Sequence, residues 1–336
     1  MPRNNSNRLS FLFTGILMLS VLFFRTDSDA KNNLSYQENI KNTSLTASAQ
    51  AVAFNQPASA IKTQLPIVPQ EIISTVNIQP ALIEKQQPVK NIGVINPAIG
   101  AKIVFAKDLE SGEILFAKGE DKYWPAASIT KLMTALVALD KIGTEKVVEI
   151  SQHAMDIDDS KSGNFSAGEK YYVRDLTRIM LLISSNKAAE AIAEFYGREN
   201  FINEMNSIAG KLGISRKFYD CTGLSMLNQF TADDLAKLAE YILLKKPEIF
   251  EYTTIKEMSF IELSTNTAKF FANINIFAGR EDFLGGKTGF IESSEQNLLS
   301  LFSHKGRKIL LIILGSEDRF SDTGTLLEWI KNSYEF

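Results

Sequence analysis

The sequence has few of the residues on which many structural and catalytic sites depend. Its 336 residues include one cysteine, Cys221, and two histidines, His153 and His304. A single cysteine excludes an internal disulfide, and a lone cysteine is most often a small core residue. Two histidines without cysteine partners do not complete a typical structural zinc site, so we expect no metal centre and no cofactor.

The sequence also lacks a strong excess of charge of either sign. Its formal net charge is −3, from 36 basic and 39 acidic side chains. Proteins that bind nucleic acid or an anionic membrane surface through their overall charge carry a clear basic excess. We therefore expect no nucleic-acid partner.

An apolar run near the N-terminus indicates export. Residues 9–24 are largely apolar, and Arg3 and Arg8 precede them. Such a pattern is typical of an export signal or of a membrane anchor. The cleavage candidate Ser28-Asp29-Ala30 lies among charged residues, which favours the anchor. We predict residues 1–30 to be an export signal or N-terminal membrane anchor, and both interpretations place the rest of the chain outside the cytoplasm.

The next segment has the composition of a stalk. Six of the nine prolines fall between Pro57 and Pro97, and residues 31–93 contain no aspartate. A segment rich in Asn, Gln and Pro buries too little apolar surface to offset its chain entropy. We therefore predict a disordered stalk over residues 31–93 and one folded domain over residues 94–336.

Strand-like segments stand at both ends of this domain, with helical segments between them. Hairpins are predicted from Ile103–Ala106 with Ile114–Ala117 and from Leu298–Phe302 with Ile309–Leu314. Helices are predicted at about 127–139, 174–183, 187–196, 232–244 and 323–331. This order predicts an α+β fold: one antiparallel sheet built from both ends of the domain, covered by helices, with a mostly helical lobe inserted.

Ser128 and Lys131 form the first pair with catalytic potential. The predicted helix starts here, so Ser128 lies beside free backbone N–H groups. Lys131 follows three positions later on the same helical face, within reach of the serine hydroxyl. A neutral amine there can take the serine proton, provided that burial or a second cation lowers the lysine pKa. The alternative is a capping serine followed by an exposed lysine, which the apolar character of this helix disfavours.

The motif Ser184-Ser185-Asn186 interrupts two predicted helices. It is either a simple capping turn or a functional break. In the functional interpretation, the Ser184 hydroxyl passes a proton to the leaving nitrogen, while the Asn186 amide holds Lys131 and a substrate carbonyl.

The motif Lys287-Thr288-Gly289 follows Gly285 and Gly286 and is predicted to lead into a strand. A glycine-rich hairpin turn is the interpretation without function. As a site, Lys287 and Thr288 offer a cation and a hydroxyl to a carboxylate, and Gly289 lets a ligand backbone approach closely. The first two motifs are common by chance and the third is rarer, and their combination in one domain predicts acyl transfer through a serine ester.

With these motifs and their flanks, residues 98–335 resemble the serine-type D-alanyl-D-alanine carboxypeptidases, the low-molecular-mass penicillin-binding proteins. The flanks are Trp124–Ala135, Gly286–Phe290, Thr222–Leu224 and Thr231–Leu235. The resemblance implies a β-lactamase/transpeptidase-like fold. It also implies an exported enzyme, at the outer face of the bacterial membrane or in the cell wall, that removes the terminal D-alanine from peptidoglycan stem peptides and that β-lactams inhibit covalently.

The resemblance divides the motif residues into two groups. The catalytic group consists of the nucleophile Ser128, the base Lys131 and the proton relay Ser184. The substrate-binding group consists of Asn186, Lys287, Thr288, Gly289 and Phe290. The backbone N–H groups of the nucleophile and of Phe290 are expected to form the oxyanion hole.

Three alternatives stay open at this stage. A D,D-endopeptidase that cuts peptidoglycan cross-links would use the same site. Ser185 and Lys187 stand where glycine and aspartate are frequent in the family, and these departures bear on substrate preference more than on the chemistry. A class A β-lactamase needs an acidic residue to activate water, and residues 222–228 contain none. A non-catalytic wall-binding module would not need the pair Ser128 and Lys131.

Overall fold

The computed structural model describes residues 87–157 and 164–336. The predicted export segment and most of the predicted stalk lie outside these ranges. Within the described ranges, no helix combines the length and the apolar character that crossing a membrane requires.

The described strands are numbered along the chain as β1 (Val89–Lys90), β2 (Ile103–Asp108), β3 (Ile114–Lys118), β4 (Trp124–Pro125), β5 (Val147–Glu149), β6 (Lys170–Tyr172), β7 (Gln229–Phe230), β8 (Glu257–Glu262), β9 (Thr267–Ala272), β10 (Phe283–Ile291), β11 (Glu295–His304), β12 (Arg307–Ser316) and β13 (Tyr334–Glu335). The described α-helices are α1 (Lys131–Val137), α2 (Gln152–Asp156), α3 (Val173–Ile183), α4 (Asn186–Tyr196), α5 (Arg198–Lys211), α6 (Ala232–Lys245), α7 (Glu248–Thr254) and α8 (Arg319–Ser333).

A five-stranded antiparallel sheet joins the two ends of the domain, in the order β10–β11–β12–β2–β3. Strand β12 pairs with β2 so that Ile312 lies opposite Phe105. Both predicted hairpins and the predicted α+β architecture are therefore confirmed. The short strands β1 and β13 also pair, with Val89 opposite Glu335. This pairing involves residues that the sequence analysis assigned to the stalk.

The sheet is buried on both faces, which explains the continuous apolar run in β12. Successive residues of a strand point to opposite faces. Leu310 and Ile312 belong to the larger core shared with the helical lobe. Leu311 and Ile313 belong to a smaller core that includes residues of α8. The sheet is therefore the middle layer of three, with the helical lobe against one face and α8 against the other.

The helices follow their sequence signals closely. Thr231 and Asp234 form a reciprocal capping box at the start of α6, in agreement with the helix predicted from about residue 232. Every residue of α1 is buried, as its apolar faces predicted. A 3-10 turn (Ala127–Thr130) precedes α1, and a π-helical turn (Ala138–Ile142) follows it. The serine nucleophile candidate therefore lies in the tight turn and the lysine at the first α-helical residue.

Two predictions of local structure need correction. The third motif lies inside the long strand β10 rather than ahead of a strand. The last helix begins at Arg319, earlier than predicted, because the Asp318 carboxylate caps it by accepting from two backbone N–H groups. Helix α5 and the β8–β9 hairpin are additional elements that the sequence analysis did not predict.

Candidate active site

Three segments from distant parts of the sequence meet at one edge of the sheet. The 3-10 turn carries Ser128, the junction of α3 and α4 carries Ser184 and Asn186, and β10 carries Lys287. Strand β10 is an edge strand of the five-stranded sheet, paired there with β11. Its backbone packs against the turn, since a Cβ built at Gly289 would come within 2.8 Å of the Ala126 carbonyl oxygen.

The Lys131 amine lies fully buried among three oxygen atoms. Its Nζ is 2.9 Å from Ser128 Oγ, 2.6 Å from Asn186 Oδ1 and 2.6 Å from the Thr222 carbonyl oxygen. The last two oxygens only accept hydrogen bonds. A neutral amine has two N–H groups and one lone pair, so it donates to these two oxygens and turns its lone pair towards the Ser128 hydroxyl.

The break between α3 and α4 gives the second motif its shape. Ser184 has a left-handed backbone conformation, with a φ of 61°, and Asn186 is the first residue of α4. A non-glycine residue rarely adopts this conformation, and such residues concentrate at functional sites. The sharp turn directs Ser184 Oγ to Lys287 Nζ at 2.8 Å, while the Asn186 side chain reaches Lys131.

Lys287 brings a second buried amine to the same site. Only 1% of the residue is exposed, and its Nζ donates to Ser184 Oγ and to the Thr288 carbonyl, both at 2.8 Å. Burial, with the positive charges of Lys131 and Arg319, lowers the pKa of Lys287 well below its ordinary value. Repulsion between two ammonium groups is mutual, so the doubly protonated form of this lysine pair is disfavoured. The site therefore favours a state in which one of these two amines is neutral.

Arg319 is a cation that sequence reasoning missed. Its Nη1 donates to the Gly289 carbonyl at 2.9 Å, and its buried Nε has no hydrogen-bond partner within the described residues. Burial lowers the pKa of this arginine, but a guanidinium stays protonated in proteins. It thus adds a positive charge beside the third motif. No motif marks it, because it reaches the site only through the packing of α8 on the sheet.

The loop after α5 supplies the Thr222 carbonyl, and Asp220 fixes its shape. The Asp220 carboxylate accepts from the backbone N–H of Thr222 at 2.7 Å, of Ser225 at 2.6 Å and of Gly223. Three backbone N–H groups on one carboxylate define the path of the loop. Asp220 therefore positions an acceptor for the Lys131 amine, a role that no sequence pattern indicated.

Asn297 ties β11 to the segment that leads into the nucleophile turn. Its amide donates to the Pro125 carbonyl at 2.8 Å and accepts from the Gly315 N–H at 3.0 Å. The residue is fully buried, and it lies opposite Gly289 in the sheet register. It holds the first and third motifs at a fixed separation.

Two glycines enclose the nucleophile turn. A Cβ at Gly223 would lie 1.9 Å from the Ala127 carbonyl oxygen, and a Cβ at Gly289 would lie 3.3 Å from the Ala127 Cβ. Ala127 itself is left-handed, with a φ of 49°. The turn that presents Ser128 is thus held in an uncommon conformation by backbone on both sides.

Substituting Gly223 by alanine is expected to reduce active-site acylation by about 100-fold, since small displacements of reacting groups carry costs of that order. The added methyl group collides with the Ala127 backbone, so either the nucleophile turn or the Thr222 carbonyl must move. Gly213→Ala is the matched control, because Gly213 has a similar φ of 70° but no atom within 4 Å of an added Cβ. Time courses with labelled penicillin compare the two variants. Equal rates would show that the close approach at Gly223 does not position the nucleophile.

One cluster of potential metal ligands lies outside these motifs. Among the described residues, ligand atoms of His153, Glu190 and Glu194 lie within 4.8 Å of one another. Glu190 already pairs with Arg198 at 2.6 Å, and Glu194 contacts His153 and Ser151. These interactions satisfy the cluster as an ion-pair network.

Similar sequences identify the family of this chain. A family model described as D-alanyl-D-alanine carboxypeptidase matches residues 90–318. A D-alanyl-D-alanine endopeptidase of Pseudomonas aeruginosa is 30% identical over 236 residues, which are 67% of this chain and 75% of that protein. The D-alanyl-D-alanine carboxypeptidase DacC of Escherichia coli is 26% identical over 253 residues, which are 69% of this chain and 62% of that protein.

Solved structures agree on the fold. A D-alanyl-D-alanine carboxypeptidase of Mycobacterium tuberculosis superposes with a TM-score of 0.64 at 23% identity, covering 72% of this chain and 95% of that chain. A penicillin-binding protein of Listeria monocytogenes, solved in its cefotaxime-bound form, superposes with a TM-score of 0.61 at 27% identity. It covers 70% of this chain and 99% of that chain.

Proposed function

The chain belongs to the D-alanyl-D-alanine carboxypeptidase family and is thus a serine-type peptidase, and from this premise we propose that it removes the terminal D-alanine from peptidoglycan stem peptides. One observation carries the proposal. The buried Lys131 Nζ lies 2.9 Å from Ser128 Oγ, with two carbonyl oxygens placed to accept both N–H groups of a neutral amine. This arrangement suits a base that activates a serine hydroxyl.

In the acylation step, Ser128 Oγ attacks the carbonyl carbon of the penultimate D-alanine while Lys131 takes the hydroxyl proton. The backbone N–H groups of Ser128 and Phe290 stabilise the negative oxygen of the tetrahedral intermediate. The C–N bond then breaks. Ser184 delivers its proton to the leaving D-alanine nitrogen and takes the proton that Lys131 holds, so the Lys131 amine is neutral again. The hydrogen bond from Lys287 to Ser184 supports this relay, because it holds the Ser184 hydroxyl at the site.

In the deacylation step, water attacks the ester carbonyl and Lys131 takes a proton from the water. The ester bond breaks, Ser128 regains its proton, and the shortened peptide leaves. A β-lactam enters the same acylation step. Its leaving nitrogen stays tethered to the acyl group, so it remains in the site. The cefotaxime-bound Listeria relative supports covalent inhibition of this chain by β-lactams.

Recognition of the terminal carboxylate falls to the third motif and its surroundings. The Thr288 hydroxyl makes no hydrogen bond within the part of the chain that the structure describes, so it is available to a ligand. Lys287 and Arg319 supply positive charge on either side, and charge-assisted hydrogen bonds to a carboxylate are strong. Gly289 leaves room for the substrate backbone, and Asn186 offers its amide to the substrate carbonyl.

Cleavage of cross-links is a second candidate function, favoured by the relative of Pseudomonas aeruginosa that is named an endopeptidase. The chemistry at Ser128 is identical in both reactions. They differ in the leaving amine, which is free D-alanine in one and the side-chain amine of a second peptide in the other. Because the chain belongs to a peptidase family, a peptidase activity is favoured over the β-lactamase and the wall-binding module.

The chain is a bacterial cell-wall peptidase by its family, and we place it at the outer face of the cytoplasmic membrane or in the cell wall. The apolar run at residues 9–24 supports export, as a cleaved signal or as an anchor. The composition of residues 31–93 supports a stalk after that segment, and the pairing of β1 with β13 places the last residues of this range, from Val89, with the catalytic domain.

Product analysis tests the proposal and separates the two functions. The full-length protein is incubated with a pentapeptide stem and, separately, with cross-linked muropeptides. The products are identified by mass spectrometry. We expect loss of one D-alanine from the pentapeptide. Cleavage of cross-links without release of D-alanine would replace the carboxypeptidase by the endopeptidase, and no cleavage of either substrate would contradict both.

A further inference from the structure

Asn228 is a fully buried polar residue beside the nucleophile turn. It ends the loop that contains Asp220, and strand β7 starts at the next residue. Its backbone carbonyl accepts from the Ala126 N–H at 2.8 Å, and its side-chain Nδ2 donates to Thr130 Oγ1 at 3.3 Å. Ala126 is the residue before the 3-10 turn, and Thr130 is the last residue of that turn. One residue therefore holds both ends of the turn that carries Ser128.

The other contacts of the Asn228 amide reach the start of the same loop. Nδ2 also donates to the Asp220 carbonyl oxygen at 3.1 Å, and Oδ1 accepts from the Tyr219 N–H at 2.7 Å. A carbonyl oxygen only accepts and a backbone N–H only donates, so these two partners fix the orientation of the amide. The Thr222 carbonyl, two residues after Asp220, accepts from the Lys131 amine. Asn228 thus connects the turn of the nucleophile with the loop that supports the base.

The nucleophile turn needs such support, because its backbone is in an uncommon conformation with a φ of 49° at Ala127. A residue in a sparsely populated backbone region persists there only where its surroundings hold it. Gly223 packs on the middle of the turn, and Asn228 holds its two ends. Release of either end lets the turn relax and moves Ser128 Oγ out of its 2.9 Å contact with the Lys131 amine.

Resting on the proposed function, we propose that Asn228 is a positioning residue for acylation, which keeps Ser128 Oγ within reach of the Lys131 amine without contacting either reacting group. Its hydrogen bonds reach the turn and the loop, and within the described residues none reaches β10. The third motif on β10 is the proposed site for the terminal carboxylate. Loss of the Asn228 amide should therefore slow the chemical step and leave carboxylate binding unchanged.

Acylation by labelled penicillin tests the inference on the full-length protein. Rates measured over a range of penicillin concentrations give a maximal acylation rate and an apparent dissociation constant. For Asn228→Ala we expect the maximal rate to fall about 30- to 100-fold, because small displacements of reacting groups carry costs of this order, while the dissociation constant stays within about twofold. Intact-protein mass spectrometry gives the fraction of protein that becomes labelled. A purely structural role would lower that fraction and leave the maximal rate unchanged.

Variants of Thr130 test the same hydrogen bond from its other side. Thr130→Val removes Oγ1 with little change in volume and leaves the contacts of Asn228 with Tyr219 and Asp220 in place. We expect its maximal rate to fall about five- to tenfold, as suits the loss of one hydrogen bond. Thr130→Ser keeps an acceptor and should stay within about twofold of the wild type. Asn228→Ala combined with Thr130→Val should be no slower than Asn228→Ala alone, because the two substitutions remove the same hydrogen bond.

Asn206→Ala is the matched control. Asn206 lies on α5, and its amide binds the backbone of Phe218 through both atoms: Nδ2 donates to the carbonyl at 2.9 Å and Oδ1 accepts from the N–H at 2.8 Å. It secures the chain just before the same loop, but within the described residues it makes no hydrogen bond to the nucleophile turn. This variant should lower the thermal midpoint much as Asn228→Ala does and keep the wild-type acylation rate.

The results separate this inference from the proposed function. A wild-type maximal rate in either Asn228→Ala or Thr130→Val would overturn the inference, and so would an Asn206→Ala protein slowed as much as Asn228→Ala. If Asn228→Ala does not fold, the comparison of Thr130→Val with Thr130→Ser decides the matter. Absence of penicillin labelling and of D-alanine release in the wild type would overturn the proposed function itself.

Discussion

Replacing Ser128 by alanine is expected to abolish covalent labelling by penicillin and to reduce D-alanine release by about four orders of magnitude or more, as loss of a nucleophile does in other serine hydrolases. The hydroxyl lies in a turn enclosed by Gly223 and Gly289, 2.9 Å from the buried Lys131 amine. The variant loses the one oxygen that this amine can activate for attack. Intact-protein mass spectrometry checks the result as a missing adduct mass.

Ser215→Ala controls for loss of a serine hydroxyl in general. Ser215 Oγ hydrogen bonds to the Tyr123 hydroxyl at 2.9 Å on the surface, and this variant should label like the wild type. Removing one half-buried hydroxyl at Ser128 should change the free energy of unfolding by only about 1 kcal/mol. A thermal melt therefore shows whether the alanine variant is folded. A folded Ser128→Ala protein that still forms the adduct would assign the nucleophile elsewhere.

The parts of the site that could be predicted depend on local spacing. Ser128 and Lys131 are three residues apart, so any helical turn brings their side chains together. Likewise Ser184 and Asn186 flank a helix start, which a polar break between two apolar periodic segments predicts. Bringing Lys287 to Ser184 required the sheet, and only the order of strands and helices along the sequence indicated that the two would meet.

The parts that could not be predicted depend on close packing between distant segments. Gly285 and Gly286 looked like a turn ahead of a strand, yet they lie within β10. A Cβ at Gly285 would come within 2.6 Å of the Phe250 carbonyl, and a Cβ at Gly286 within 2.4 Å of the Leu299 carbonyl. Glycine is needed there because neighbouring backbone approaches the strand, which no local pattern reveals. Arg319 was missed for the same reason. Asp220 was missed because only the fold brings the Thr222 carbonyl, which Asp220 positions, to Lys131.

Replacing Lys131 by methionine is expected to slow acylation by penicillin at least about 1000-fold while leaving the fold intact, since general-base catalysis contributes factors of this order. Methionine keeps the volume of the buried side chain and removes the amine. The oxygens of Asn186 and Thr222 lose a donor, which costs about 1–3 kcal/mol for each buried group left unpaired. Removing a buried polar amine offsets part of this cost. Rates come from labelled penicillin, and thermal melts report the fold.

Lys131→Arg distinguishes two possible roles of Lys131, a base that accepts a proton and a group that contributes only positive charge. Arginine offers donors to the same two carbonyl oxygens but stays protonated, so it cannot accept the Ser128 proton. If the amine acts as the base, the arginine variant should acylate as slowly as the methionine variant. An arginine variant with near-normal acylation would mean that Lys131 contributes its charge, and that the proton of Ser128 leaves by another route.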